Sequence, residues 1–405
     1  MPINFSNLNS IWTSILVETL KRLGLTHAVI CPGSRSTPLA VAFAEHHQIA
    51  ATPVLDERSA AFFALGIARK TKHPTALVCT SGTAGANFYP AVIEARESRV
   101  SLLILTADRP PELRDCNAGQ TIDQQKLFGS FVNWYAELAI PTLEVDMLAY
   151  LRQTAIHAWE RSHAPIPGPV HLNLPFRDPL APTPQSAAQT LKSSFNIEDF
   201  FADVDVQLAA PLLPCFPAPL PSSLLSTWQT CSRGVIIAGL AQPQDPQQYC
   251  EAIAHLSKVL GWPVLAEGLS PVRNYAHLNP HLVSTYDVLL RNQRLAEKLT
   301  PEQVIHIGPM PTSKTLRQWL ASTRPRQWIV DEGDRNLDPL HGLGLVVRKN
   351  QKAVVPQGVN FTDAPIFIVL MFPGNVSGKC PGQVRYGDGW FVLLIQLFPE
   401  LGQGG

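Results

Sequence analysis

Four short segments contain most of the side chains that could take part in chemistry. They cover residues 31–39, 55–66, 79–87 and 106–113, and each includes or follows the end of a predicted apolar strand. Ligands of open parallel sheets bind in the crevice outside the carboxyl ends of the strands. The loops that these segments form are therefore where we expect a functional site.

Three of the segments carry charged groups. Arg35, next to Ser34, offers a planar guanidinium suited to a carboxylate, although the same segment could be only a tight turn with an N-cap. Glu57 lies where a strand becomes a helix, where an acid is also favoured by the helix macrodipole alone. Arg109 directly follows a buried strand, and its alternative role is a structural ion pair with Asp108.

The segment after the third strand is made of small residues. Thr80, Ser81 and Gly82 would let a planar ligand approach the backbone, while their hydroxyl and N–H groups offer hydrogen bonds. The same composition also resembles a general phosphate-binding loop. On its own, this segment leaves both interpretations open.

Apolar strands alternate with helical patterns through the first part of the chain. Strands are expected at residues 26–31, 52–55, 75–79, 101–105 and 168–175, and helices at 11–23, 37–46, 58–70 and 85–95. This alternation predicts βαβ units, and the continuous apolar runs predict a parallel sheet covered on both faces.

A second α/β pattern follows a proline-rich region. The predicted fold class is therefore α/β, with two doubly wound parallel-sheet domains and an unassigned tail. The predicted boundaries are residues 1–183 for the first domain, 184–226 for a linker with low helix and sheet potential, 227–342 for the second domain and 343–405 for the tail.

The composition limits the possible partners. Lys and Arg together number 32, as do Asp and Glu, so nothing favours nucleic acid or an anionic membrane. No apolar run reaches the roughly 20 residues that a membrane span needs. The seven cysteines form neither a CxxC pair nor a zinc pattern, which is typical of a reduced, cytoplasmic protein.

Taken together and in order, the four segments resemble the pyrimidine-binding domain of a family of thiamine-diphosphate enzymes. This family is the 2-succinyl-5-enolpyruvyl-6-hydroxy-3-cyclohexene-1-carboxylate (SEPHCHC) synthases. The resemblance continues through Gly-Pro-Val-His-Leu-Asn at 168–173, Leu-Gly-Trp-Pro-Val-Leu-Ala at 260–266 and Pro-Thr-Ser-Lys at 311–314. It covers about residues 5–342.

The resemblance implies roles for particular residues. Glu57 matches the catalytic glutamate, whose bond to the cofactor's aminopyrimidine favours the form that removes the thiazolium C2 proton. The other implied site residues are Thr80, Ser81 and Gly82 beside the pyrimidine, and Ser34, Arg35, Arg109, Gln120 and Lys314 on the substrate side. The implied reaction decarboxylates 2-oxoglutarate and adds the succinyl unit to isochorismate, in menaquinone or phylloquinone biosynthesis. A homodimer or homotetramer is also implied.

The resemblance ends after residue 342. The family has a third domain that holds Mg2+ and the cofactor diphosphate through a Gly-Asp-Gly turn and a later amide ligand. Gly387-Asp388-Gly389 is present, but only sixteen residues follow it, so we interpret it as an ordinary turn and assign no metal ligand. We therefore expect the diphosphate-binding domain to be absent or vestigial.

Two other functions remain open at this point. One is a catalytically inactive homologue that acts only as a dimerisation partner. The other is a thiamine-diphosphate enzyme of the acetolactate-synthase type. The cations Arg35, Arg109 and Lys314 argue against the latter, because a small neutral acceptor does not need them.

Overall fold

The computed structural model describes residues 3–209, 222–243, 245–331, 333, 335–341, 345–348, 383–386 and 390–393. The chain divides into two compact units, Met1–Ala210 and Pro211–Gly405, and each is described by itself. Within the described residues, no helix has both the length and the apolar character needed to cross a bilayer.

Parallel strands form the sheet of the first unit. Their bounds are β1 His27–Ile30, β2 Ala50–Pro53, β3 Thr75–Cys79, β4 Leu102–Asp108, β5 Trp134–Glu137 and β6 Pro169–Pro175. The strand order is β2-β1-β3-β4-β6-β5. Every residue of β3, β4 and β6 is buried, which explains their mainly apolar character.

Helices cover both faces of this sheet. Their bounds are α1 Leu8–Arg22, α2 Thr37–Ala44, α3 Glu57–Thr71, α4 Tyr89–Ser98, α5 Val145–His163, α6 Ser186–Ser194 and α7 Ile197–Ala209. One core lies on the side of α1, α2 and α5, and the other lies under α3 and α4. The predicted parallel α/β class is confirmed, whereas β5 and α5 were not predicted.

Part of the predicted linker is helical. Helices α6 and α7 fall within residues 184–226, and Phe201 of α7 is fully buried in the first core. The prolines of this region lie at its ends, and the stretch 185–210 contains none. Average composition concealed this proline-free stretch, which can form helices because every residue retains its N–H donor.

The second unit contains another parallel sheet. Its strands are β7 Gly234–Ala238, β8 Val264–Ala266, β9 Leu282–Val283, β10 Gln303–Ile307, β11 Arg326–Asp331 and β12 Leu345–Arg348. The strand order is β12-β11-β10-β7-β8-β9. The helices are α8 Ser222–Gln229, α9 Pro246–Leu260, α10 Tyr286–Arg291, α11 Gln293–Lys298 and α12 Lys314–Thr323.

The second sheet continues beyond residue 342, where the sequence analysis ends the second domain. Strand β12 pairs with β11 in parallel, from Trp328 opposite Leu345 to Asp331 opposite Arg348. Further along, β13 Gln383–Tyr386 and β14 Trp390–Leu393 form an antiparallel pair. The Gly387-Asp388-Gly389 turn lies outside the described residues.

A buried carboxylate joins the first two helices. Glu18 of α1 accepts a hydrogen bond from Arg22 Nε at 2.7 Å and lies 3.0 Å from His46 Nε2. Burial acts to raise the pKa of Glu18, but the bonds from His46 and Arg22 outweigh it, and the pKa is lowered. Charged hydrogen bonds thus hold the chain after α2 against α1.

Replacing Glu18 with Gln should lower the free energy of unfolding by about 1–3 kcal/mol at neutral pH. The folded pKa is lower than the unfolded one, so this stabilisation is present above the unfolded pKa and is lost as pH falls through the folded pKa. Urea titrations should show the gap between wild type and variant closing below about pH 4.5.

Glu160→Gln is the matched control, because the Glu160 side chain is 54% exposed and lies 3.7 Å from His157. Its effect should stay below about 0.5 kcal/mol. A Glu18→Gln gap that persisted unchanged to pH 3 would contradict the assignment.

Candidate active site

The structure brings the four strand-end segments to one edge of the first sheet. Strands β2, β1, β3 and β4 are consecutive neighbours, and they are all parallel. Their carboxyl ends therefore meet at the same edge, as the sequence analysis expected.

Glu57 lies at the first position of α3 and is partly buried. The preceding residue, Asp56, is the N-cap, and its carboxylate accepts the Ser59 N–H at 2.7 Å. Capping therefore does not require Glu57. Burial, followed by the charges of Glu57 and Asp56, raises the pKa of the Cys31 thiol to about 12.

The loops after β1 and β3 are packed tightly together. A Cβ atom added to Gly33 would collide with the side chain of Thr80, so the first loop needs glycine at this position. Thr80 is almost completely buried, and Ser81 is completely buried. Glycine here lets the β1 loop come within contact distance of the segment expected to adjoin the pyrimidine.

Arg35 is influenced by the charge of Arg109, and its own ion-pair partner, Asp178, lies 3.7 Å from Nη1. Arg35 is 7% exposed, and its Nη1 donates to the Phe176 carbonyl at 2.8 Å. Its buried Nε has no hydrogen-bond partner in the described part of the chain. Burial, followed by the positive charge of Arg109, lowers the pKa of Arg35. A nearby anion would offset this repulsion.

Arg109 is held by its neighbours. Its Nη1 donates to Ser81 Oγ at 2.8 Å, and its Nη2 donates to the Gly119 carbonyl at 2.9 Å. Ser81 Oγ in turn donates to the Gln120 carbonyl at 3.1 Å, and Gln120 Nε2 donates to the Ser81 carbonyl at 3.0 Å. Three predicted site residues, Ser81, Arg109 and Gln120, therefore form one bonded group, which we call the Ser81 clasp.

Gly82 fits closely against the clasp. Its φ is +87°, and an added Cβ atom would lie 2.8 Å from Gln120 Cγ. Its N–H donates to Gln124 Oε1 at 2.8 Å. Because this N–H is already bonded within the protein, the general phosphate-binding interpretation of the segment loses one of its donors.

Asp108 forms its ion pair with Arg114, and not with Arg109 as the alternative role of Arg109 required. Asp108 Oδ2 lies 3.1 Å from Arg114 Nη2, while Oδ1 accepts the backbone N–H of Arg109 at 2.7 Å. Arg114 also bonds to Glu137 at 2.9 Å. The Arg109 side chain is thus directed towards Ser81 and Gly119, where it can meet a ligand.

Sequence reasoning missed Gln124 and Asn173, whose side chains bond to Gly82 and Asp108 respectively. A signal was present, because polar residues recur at every second position near the ends of two otherwise apolar strands. They are Thr106 and Asp108 in β4, and His171 and Asn173 in β6. This alternation places all four on one face of the sheet.

Two further predicted substrate-side residues are exposed. Ser34 is exposed in the loop after β1. Lys314 is exposed at the start of α12 in the second unit, where Ser313 caps the helix. In the described part of the chain, no group of three or more His, Cys, Asp or Glu side chains could hold a metal ion.

Two family descriptions match this chain. "Thiamine pyrophosphate enzyme, N-terminal TPP binding domain" matches residues 12–127, and "Middle domain of thiamine pyrophosphate" matches residues 219–357. The first match contains all four strand-end segments. The chain belongs to the thiamine pyrophosphate enzymes. Membership of this family implies thiamine diphosphate as the cofactor.

Within the thiamine pyrophosphate enzymes, curated relatives share the name 2-succinyl-5-enolpyruvyl-6-hydroxy-3-cyclohexene-1-carboxylate synthase. The relative from Nostoc sp. is 62% identical over 381 residues, which is 94% of this chain and 64% of the relative. The one from Acaryochloris marina is 58% identical over 359 residues, which is 88% of this chain and 60% of the relative. The chain therefore spans a little under two thirds of the length of these homologues.

Gly82→Ala should lower the free energy of unfolding of the first unit by about 1–2 kcal/mol, because alanine is strained at positive φ. Its methyl group would also displace Gln120. Gly66→Ala is the control, since this helical position in α3 has open space around it. That change should stabilise the unit by about 0.5–1 kcal/mol. Urea titration of both variants tests the contrast, and a neutral Gly82→Ala would refute it.

Proposed function

We propose that the protein is a SEPHCHC synthase of menaquinone or phylloquinone biosynthesis. It would decarboxylate 2-oxoglutarate with thiamine diphosphate and Mg2+, and join the succinyl unit to isochorismate with release of CO2. The observation that carries the proposal is that Glu57, Arg35 and Arg109 all follow strands whose carboxyl ends meet at one edge of the first sheet. The name shared by its homologues supports the same reaction.

The first unit offers groups that fit the pyrimidine of the cofactor. Glu57 is not needed as a cap, so its carboxyl can bond to a ring nitrogen and hold a proton there. Thr80, Ser81 and Gly82 are small enough for a planar ring to approach the backbone. When bound, thiamine diphosphate supplies the electron sink for decarboxylation.

The paired arginines suit substrates that carry two carboxylates. Both 2-oxoglutarate and isochorismate are dianions, and each guanidinium can bind a carboxylate with two parallel hydrogen bonds. Ser34 and Gln120 add donors from the same edge, and Lys314 is proposed to add a cation from the second unit. This set disfavours an acetolactate-synthase type of activity, whose acceptor is small and uncharged.

The remaining parts of the proposal rest on the family. Mg2+ is proposed as a second cofactor, and none of the described residues is assigned as its ligand. A homodimer or homotetramer in the cytoplasm is proposed as the working form. The domain boundaries at residues 183, 226 and 342 likewise remain predictions, apart from the extension of the second sheet by β12.

The proposed reaction can be tested directly on the purified protein. Incubation with thiamine diphosphate, Mg2+, 2-oxoglutarate and isochorismate should release CO2 and form SEPHCHC. Pyruvate in place of 2-oxoglutarate should give no product. If no CO2 were released at any protein concentration, the chain would not be this enzyme by itself, and the inactive-homologue alternative would be favoured.

Glu57→Gln should reduce the rate of CO2 release by at least about 100-fold, because an amide cannot exchange the proton. The fold should be retained, since Asp56 caps α3 in either case. Glu94→Gln is the matched control, because Glu94 is an exposed acid on α4. Full activity of Glu57→Gln, measured beside the control, would exclude the assigned role.

A further inference from the structure

A layer of buried polar side chains lies next to the loop that carries Arg109 and Gln120. Its members are Thr106 and Asp108 of β4, His171 and Asn173 of β6, and Gln124 of the loop. All five are less than 2% exposed. Burying this many polar groups in an apolar core is costly unless they bond to one another.

Asn173 is the centre of this layer. Its Oδ1 accepts from Thr106 Oγ1 at 2.8 Å and from Gln124 Nε2 at 2.9 Å. Its Nδ2 donates to Asp108 Oδ2 at 2.8 Å and to Glu137 Oε2 at 3.4 Å. The side-chain amide therefore uses its full hydrogen-bonding capacity.

The protonation of His171 and Thr106 decides which atom donates in each of these hydrogen bonds. Burial lowers the pKa of His171 to about 3, so its imidazole is neutral. Thr106 has one proton and gives it to Asn173, so His171 Nε2 must donate to Thr106 across 2.7 Å. The amide at position 173 accepts on the Thr106 side and donates on the Asp108 side, which an ionised carboxylate could not do.

One arm of Asn173 leads to Arg109 of the Ser81 clasp, and the other leads to Gly82, which packs against the clasp. Through Asp108 it reaches the backbone N–H of Arg109, which Asp108 Oδ1 binds at 2.7 Å. Through Gln124 it reaches the N–H of Gly82, which Gln124 Oε1 binds at 2.8 Å. Asn173 is therefore one side chain away from both segments whose relative position directs the Arg109 guanidinium.

We propose that Asn173 is a positioning residue that fixes Arg109 relative to Ser81 and Gly82, and thereby sets the affinity of this site for dicarboxylate substrates. The identity of the ligands rests on the proposed function, whereas the positioning role rests on the geometry alone. Asn173 itself need not touch a ligand, since its four bonds are all made within the protein.

The first test measures loop order without any ligand. In Asn173→Ala, the amide N–H groups of Gly82 and Arg109 should exchange with solvent at least about tenfold faster than in wild type. Peptides from α1 should be unchanged. Because Asn173 is fully buried, Gln124→Ala is a second, milder variant, and it should speed exchange at Gly82.

Asn133→Ala is the matched control. Asn133 Nδ2 donates to the carbonyls of Arg161 at 3.1 Å and Ile166 at 2.8 Å. It is the same residue type and lies beside the amino end of β6, at the opposite edge of the sheet. It should reproduce any general loss of stability while leaving exchange at Gly82 and Arg109 as in wild type.

The second test asks whether Asn173 acts through Arg109. Affinities are measured by calorimetric titration for wild type, Asn173→Ala, Arg109→Lys and the double variant. The ligands are isochorismate and, separately, 2-oxoglutarate, both in the presence of thiamine diphosphate and Mg2+. Asn173→Ala should weaken binding about tenfold. The double variant should bind no more weakly than the weaker single variant, because both changes remove the same interaction.

The outcomes separate the two proposals. Faster exchange in Asn173→Ala than in Asn133→Ala, with non-additive losses of affinity, supports the positioning role. Equal exchange in the two variants, or additive losses, overturns it. If wild type bound neither dianion, the proposed function would fail, and the exchange measurement alone would decide the role of Asn173. If Asn173→Ala did not fold, unchanged exchange at Gly82 in Gln124→Ala would overturn the positioning role.

Discussion

The hydrogen bond from Asn173 to Asp108 joins two neighbouring buried strands, and the geometry of the candidate site depends on it. Asp108 is the last residue of its strand, so a group held there also sets the direction in which the chain leaves the sheet. The loop that follows carries Arg109, and it returns to the same strand pair through Gln124. A rigid sheet thus orders a loop that would otherwise have no regular structure to support it.

The sequence was sufficient to predict the strand-end segments, because glycine, proline and charged residues directly follow buried apolar runs. It could not predict which arginine pairs with Asp108. That choice depends on how the chain folds between Arg109 and Arg114, where a short helical turn at Pro111–Leu113 precedes Arg114. Helices α6 and α7 were missed for another reason, since prolines at the ends of a region dominated its average composition.

The charges around Arg35 bear on the proposed binding of dianions. Burial and the charge of Arg109 lower the pKa of Arg35, whereas the carboxylates of Asp178 and Asp108 act to raise it. Like charges in such an environment are stabilised when a doubly negative ligand lies between them.

The close packing of Gly82 against Gln120 limits how this site can change. A side chain at position 82 would enter the space of residue 120, and residue 120 is itself in a left-handed conformation. A library that varied either position alone would mostly sample strained loops. Positions 82 and 120 should therefore be varied as a pair, and natural drift at one of them is expected only where the other has changed to match.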